Sequence, residues 1–186
     1  MTAEAIPSGP PPGEWTIADV DALPDRDGVR YELVDGVPRM MTPPRWEHQD
    51  ALLELHLALR TSAPASLHVV QGLGVIVAED QRPIPDLVVV RSGDRTLSNV
   101  PAESVVLAAE IVSRSSRSDD RFRKPGLYAQ ADIPCYLRVE LDPPHVVAYH
   151  LGTDGVYEEV GRAEPPEVLK LTEPFPITID PAALVR

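Results

Sequence analysis

The sequence predicts an α/β fold in which one mixed β-sheet is flanked by helices, and three observations carry that expectation. Two runs, Leu87 to Val90 and Val105 to Ala109, are apolar at every position, as in strands covered on both faces. From about Arg45 to Arg60, Leu52, Leu55 and Leu59 recur at helical spacing on one side. A second helical segment, Asp119 to Ala131, follows the second apolar run, so strands and helices alternate along the chain.

The elements follow in order. Residues 1–13, with Pro7, Gly9 and the Pro10 to Pro12 run, suit neither helix nor central strand and are expected to form a mobile tail, leaving residues 14–186 as a single domain. With 186 residues and 43% hydrophobic composition, such a domain has enough apolar side chains for a real core. Thr16-Ile17-Ala18-Asp19 predicts a capped helix through Leu23. Arg30 to Val34 alternates, Asp35-Gly36 is a strong hairpin signal, and Val37 to Met41 is the returning strand. Glu32 lies in the first arm, where alternation alone makes it solvent-facing. His48 lies one turn before Leu52, hence near the buried face of the Arg45–Arg60 helix.

Leu67 to Gln71 and Gly74 to Ala78 read as strands bent at Gly72-Leu73-Gly74, and Ser92 to Glu103 as a loop. That pair of glycines lacks the third glycine and following helix of a dinucleotide-binding turn. These strands and the two apolar runs are expected to form one continuous sheet. Ser118 is placed to cap the Asp119–Ala131 helix, but proline is tolerated only in a first turn, so Pro125 moves the start of regular helix towards Lys124. Cys135 to Leu141, His145 to Leu151 and Val156 to Val160 extend the sheet, and Ile177 to Asp180 forms a closing edge strand before a short tail helix.

Charge and cysteine usage narrow the function classes. A net charge of −12 opposes ordinary nucleic-acid binding, which needs a basic footprint. Between Arg114 and Lys124, however, five basic residues face two acidic ones, so a local basic patch is available in an acidic protein. The single cysteine, Cys135, cannot form an internal disulfide and sits in an apolar run, which fits a buried small residue in a reducing cytoplasm. Neither a signal-peptide core nor a membrane-length apolar run is present, so a soluble cytoplasmic protein with no membrane partner is expected. The histidines show no spacing of a structural zinc site.

Two carboxylates interrupt the buried strands. Asp86 opens the first apolar run and shares its parity with Val88 and Val90; Glu110 ends the second and shares its parity with Val106, Ala108 and Val112. Ionised carboxylates at a core margin need a partner, a hydrogen bond or a metal, so this pair marks a candidate cation site. Lys124 stands out because the chain has fifteen arginines and only two lysines, the other being Lys170. A compact ammonium differs from a planar guanidinium in what it can reach. If the segment is helical, Asp120, Lys124 and Tyr128 fall on one stripe, and an Asp120–Lys124 ion pair is the plain structural account of both.

The order Pro85-Asp86, Glu110, Ser113-x-Ser115-Ser116-x-x-x-Asp120-x-x-x-Lys124-x-x-x-Tyr128, Ile133-Pro134-x-Tyr136 and Asp142-Pro143 resembles the Uma-type restriction-endonuclease family, within the PD-(D/E)XK nuclease superfamily. Upstream, Tyr31 to Gly36, Pro43-Pro44 and His48 extend the resemblance to roughly residues 15–160. It implies a restriction-endonuclease-like core, with Asp86, Glu110 and Lys124 catalytic and Asp86 and Glu110 holding Mg²⁺, or Mn²⁺ as a substitute. It further implies that Glu32 is an accessory acid, that His48 contacts substrate phosphate, and that Asp120 and Tyr128 support Lys124. One departure matters. The superfamily pattern places a lysine two residues after the glutamate, where this chain has Val112, and the resemblance implies that Lys124 takes the missing role.

The activity so implied is metal-assisted hydrolysis of a phosphodiester bond, with DNA as substrate; the apolar strands late in the chain, and the need of a duplex-cutting enzyme for two active sites, predict a homodimer. Val88, Val90 and Val112 would wall the site, and replacing Lys124 is expected to spare folding. Two other accounts stand beside this one: a non-catalytic nucleic-acid-binding or regulatory protein on a nuclease scaffold, favoured by net charge and Val112, and a structural role in which Glu110 pairs with Arg114 or Arg123.

Overall fold

In the computed structural model, residues 9–24, 29–91, 93–113 and 117–185 are described. Most of the expected tail, residues 1–8, lies outside them; Gly13 N–H already donates to Gly36 C=O at 2.9 Å. Helix α1 (Ile17–Asp21) starts at a complete capping box, in which Thr16 Oγ1 accepts from Asp19 N–H and the Asp19 carboxylate accepts from Thr16 N–H. Strands β1 (Tyr31–Val34) and β2 (Val37–Met40) form the hairpin, turning through Asp35 at φ 50° and Gly36 at φ 64°. Helix α2 (Trp46–Ser62) leads to β3 (Leu67–Gln71), β4 (Gly74–Ile76), β5 (Leu87–Arg91), β6 (Asn99–Pro101) and β7 (Val105–Val112). A π-helical turn, Asp119–Arg123, runs into helix α3 (Lys124–Gln130), followed by β8 (Cys135–Leu141), β9 (Pro144–Leu151), β10 (Tyr157–Ala163), β11 (Leu169–Leu171) and β12 (Ile177–Ile179).

Six strands form the main sheet in the order β10-β9-β8-β7-β5-β3. The β7–β8 pair is parallel and the other four pairs are antiparallel. A parallel pair needs a crossover, and the π turn with α3 supplies it. On one face, Ala51, Leu55 and Leu59 of α2 pack with Val89, Leu107, Ile111, Leu137 and the C-terminal Ile179 and Leu184. The other face gathers Val88, Val90, Ala108, Ile133 and Tyr136 around Tyr128 of α3. Covering both faces is why β5 and β7 could be apolar throughout.

Three expectations change. The continuous sheet is divided, because β4 leaves the main sheet to pair in parallel with β6, while β1–β2 stands as its own hairpin. Strand β6 lies in the stretch read as loop, and three residues are too few to show alternation. The C-terminal strand β12 pairs with β11 rather than the main sheet and joins the α2-side core through Ile177 and Ile179. Ser118 is no cap, because its own backbone is helical at φ −70° and ψ −43° and it makes no capping bond. Regular α-helix does begin at Lys124. Pro125 has no N–H to give Arg121 C=O, and the preceding turn widens so that Lys124 N–H donates to Asp119 C=O.

No described helix is long and apolar enough to cross a membrane. Leu55 is fully buried, whereas Leu97 is 53% exposed. Urea denaturation should show Leu55→Ala losing about 2–5 kcal/mol of stability and Leu97→Ala less than about 0.5 kcal/mol.

Candidate active site

Strand register brings the two carboxylates together. Leu87 pairs with Ala109, so Asp86 and Glu110, one step further along the antiparallel pair, meet across it at the end of the sheet. Asp86 Oδ2 accepts from Ile111 N–H at 2.8 Å and lies 3.1 Å from His48 Nε2, which reaches over from α2. Glu110 is 1% exposed, and its Oε1 accepts from Tyr128 Oη at 2.5 Å. Parity places Glu110 correctly on the Ala108 and Tyr128 side, but a bulge opposite Val89 and Val90 shifts Val106 into the α2-side core.

Lys124 arrives from the crossover. Its Nζ stands 2.9 Å from Glu110 Oε1, 3.4 Å from Asp120 Oδ1 and 3.5 Å from Glu32 Oε1, and the residue is 6% exposed. The Asp120–Lys124 pair expected of a plain helix is therefore present as one part of a larger cluster. Glu32 is not solvent-facing. It is 8% exposed, because Leu33 and Arg82 exchange backbone hydrogen bonds that press the hairpin against the sheet end, and Glu32 Oε1 accepts from Ile84 N–H at 3.0 Å. Glu110 pairs with Lys124 rather than Arg123, whose guanidinium bonds Asp119; Arg114 lies outside the described residues.

A cleft of about 540 Å³ collects Glu32, His48, Asp86, Glu110, Asp120 and Lys124. Of the expected apolar wall only Val112 lines it, while Val88 and Val90 lie in the core beneath. Two participants had no role assigned from sequence. Tyr136 Oη donates to Asp120 C=O at 2.6 Å, tying the π turn to the sheet, and Glu140 on the cleft wall accepts both ends of Arg121 at 2.7 and 2.9 Å. Arg123 is likewise held by Asp119, so much of the basic stretch is spent on neighbouring acids. An acid between Val139 and Leu141, as Glu140 is, was the available signal.

Electrostatics follows from the burial. Desolvation pushes the Glu110 carboxyl well above the ordinary range; Lys124 pulls it back, and Asp120 and Asp86 push it up again. For Lys124, burial works against the charge, but Glu110, Glu32 and Asp120 outweigh it and raise the pKa, so the side chain is an ammonium at neutral pH. Burial also lowers His48, yet the Asp86 hydrogen bond and the Asp86 and Asp120 charges leave it above the ordinary imidazole value. Burial pushes the Cys135 thiol up to about 12, in keeping with a packing role.

The donor set suits a hard divalent cation. Glu32, Asp86, Glu110 and Asp120 put four carboxylates beside one ammonium and one imidazole, an excess of buried negative charge that a proton or a cation would relieve. The bonds above use Asp86 Oδ2 and Glu110 Oε1, so a cation would be held through Asp86 Oδ1 and Glu110 Oε2. Among the described residues no three Asp, Glu, His or Cys side chains form a ready cage. Magnesium is commonly held by one or two carboxylates with water completing its shell.

A family model described as "Uma2: Putative restriction endonuclease" matches residues 17–183. The fold is similar to that in the crystal structure of a putative nuclease belonging to DUF820 from Anabaena variabilis ATCC 29413, with a TM-score of 0.69, 13% identity, and coverage of 91% of this chain and 97% of that one. No curated protein matches the chain.

The burial of Lys124 overturns the expectation that it can be removed without harm to folding. Lys124→Ala leaves Glu110, Glu32 and Asp120 without their counter-charge and should lower stability by about 3–5 kcal/mol at neutral pH. Without Lys124 to pull it back, the buried Glu110 carboxyl rises further above its unfolded value, so the deficit is full above its folded pKa and shrinks as acid protonates it. Urea denaturation of both proteins at pH 7 and at mildly acidic pH checks this. His48 carries the opposite sign: its raised folded pKa means that its charged pairing with Asp86 stabilises below the unfolded imidazole value and fades as pH rises through the folded one. Histidine NMR titration should find this imidazole above the ordinary value, and falling towards it in Asp86→Asn.

Proposed function

The chain belongs to the Uma2 family, and from that premise we propose that it is a metal-dependent nuclease that hydrolyses phosphodiester bonds, with DNA as its substrate. One observation supports this reading above the others: Lys124, delivered by the crossover helix, stands 2.9 Å from the glutamate that meets Asp86 across the strand pair. Carboxylate, carboxylate and ammonium thus share one cleft although Val112 occupies the strand position two residues beyond Glu110. Asp86 and Glu110 would hold Mg²⁺ or Mn²⁺ through their remaining oxygens. Bound there, such a cation polarises the phosphoryl oxygen and acidifies a bound water.

The chain's own groups account for the rest. In hydrolysis a water oxygen forms the new bond to phosphorus and the bond to the leaving oxygen breaks, so negative charge grows on the phosphoryl oxygens. Lys124, charged at neutral pH, donates hydrogen bonds to that charge or to the attacking water, as a donor rather than a base. Glu32 and Asp120 hold the ammonium from two sides. Tyr128 fixes the Glu110 carboxylate, and His48 with Ile111 N–H fixes that of Asp86. Substrate contact by His48 competes with this hydrogen bond, so positioning of Asp86 is the better-supported role.

A second reading has its own support. The net charge of −12, with Arg121 and Arg123 occupied by Glu140 and Asp119, disfavours grip on a polyanion and favours a regulatory protein on the nuclease scaffold, with weak catalysis or none. Calorimetric titration with Mg²⁺ and Mn²⁺, paired with cleavage of plasmid and linear DNA, separates the two. The nuclease reading expects metal binding that Asp86→Ala and Glu110→Ala abolish together with cleavage. Lys124→Met, assayed at a temperature where it is folded, should retain metal and cleave about 10²-fold more slowly, with no rescue in Lys124→Arg. A folded wild-type protein that ignores both metals at millimolar concentration removes the enzyme.

A further inference from the structure

Helix α2 is apolar on two opposite sides, and only one of them has a partner. His48, Ala51, Leu55 and Leu59 face the sheet. On the far side, Trp46 is 81% exposed, Leu53 53% and Leu57 49%. At 100° per residue, Trp46, Gln49, Leu53, Leu57 and Arg60 fall within roughly 80° of arc, so the exposed apolar groups form one stripe along the helix rather than scattered points. Among the described residues Trp46 is the most exposed large hydrophobic one, and its indole N–H is fixed by Asp50 one turn on. A tryptophan held in place on a rigid helix is the kind of side chain on which association energy concentrates.

We propose that this stripe is the interface through which two copies of the chain associate, α2 lying antiparallel against α2 of the second copy about a twofold axis near Leu53. Charge complementarity selects that occupant. Asp50 flanks the stripe in the N-terminal half and Arg60 ends it in the last turn, so a parallel pair would set Asp50 against Asp50, whereas antiparallel packing sets Arg60 of each copy beside Asp50 and the indole of the other. Leu53 then meets its own counterpart, and Leu57 covers the neighbourhood of Gln49. The acids at the Trp46 end repel nucleic acid and anionic lipid. Another apolar exposure, Val156 and Val160 around β10, lies where Glu158, Glu159 and Arg162 and a bulge before Gly161 blunt the sheet edge against pairing. An expectation of dimerisation based on these late strands therefore moves to α2.

Three apolar side chains on one helix make a narrow contact, and a dissociation constant in the micromolar range is expected. Sedimentation velocity of the full chain, from low to high micromolar concentration, should show a monomer passing to a dimer. Leu53→Glu places two carboxylates together on the twofold axis and should weaken association at least about tenfold, with an unchanged circular dichroism spectrum. Leu57→Glu is the second test should Leu53→Glu fold poorly, and Val160→Glu on β10 should leave the dimer intact. A wild-type chain that stays monomeric throughout overturns the proposal. So does a dimer that survives both leucine substitutions, or one that only Val160→Glu breaks. None of these outcomes depends on nuclease activity, so the interface and the proposed function stand or fall separately.

Discussion

The candidate site depends on one buried ammonium. Lys124 lies between Glu110, Asp120 and Glu32, which come respectively from the main sheet, the crossover and the separate N-terminal hairpin. No two of those elements are adjacent in the main sheet's hydrogen-bonding pattern, so the lysine is the point at which three independently built pieces of backbone are joined. In a low-dielectric setting each unpaired carboxylate would oppose folding, and together they make the lysine position far more constrained than any single ion pair would. Burial of Glu32 follows directly: once the ammonium occupies its place, the hairpin docks with its acid inward.

The topology explains why the ammonium comes from a helix. Strands β7 and β8 are parallel, so the chain must leave the end of β7, cross a face of the sheet and re-enter, and Glu110 lies two residues before β7 ends. Any helix that begins this crossover starts above the Glu110 carboxylate. Tyr128, one turn beyond Lys124, enters the core and donates to Glu110, while Tyr136 on β8 anchors Asp120 C=O. The tyrosine packing that makes the fold stable is thus the same packing that aims the cluster, which links its geometry to the core rather than to a loop.

Much of this was legible in sequence, and the failures share a cause. Regular elements with strong local signals were readable: Asp35-Gly36 fixed the hairpin, the leucine spacing fixed α2, and the unbroken apolar runs of β5 and β7 announced strands covered on both sides. Asp86, Glu110 and Lys124 stood out as charges where local patterning called for apolar residues or arginine. What could not be read was set by contacts far apart in the chain. Alternation made Glu32 solvent-facing because the hairpin's partner, Arg82 and its neighbours, is fifty residues away. Strands β6 and β11 are three residues long and exist only through their partners, and the Val106 shift follows from a bulge that parity cannot foresee. The basic stretch looked like a ligand surface because Asp119 and Glu140, which occupy its arginines, act through the folded geometry.

Val112 shows what the alternative placement of the lysine entails. Residues 110 and 112 point to the same face of β7, so a lysine at 112 would reach the carboxylates from a rigid strand whose geometry the sheet fixes. Val112 instead lines the cleft with an apolar side chain, and the charge enters from the turn above. A strand lysine is held by backbone ladder bonds, whereas a helix lysine is held only as well as its helix is. Here the helix has a weak point, since Pro125 directly follows Lys124 and removes a backbone donor at the position where α-helix begins. The π turn, the Tyr136 hydrogen bond and the three acids around Nζ all act on that point. Their concentration there has a physical reason: an ammonium carried by a helical turn stays beside its carboxylates only if that turn is held as rigidly as a strand would be.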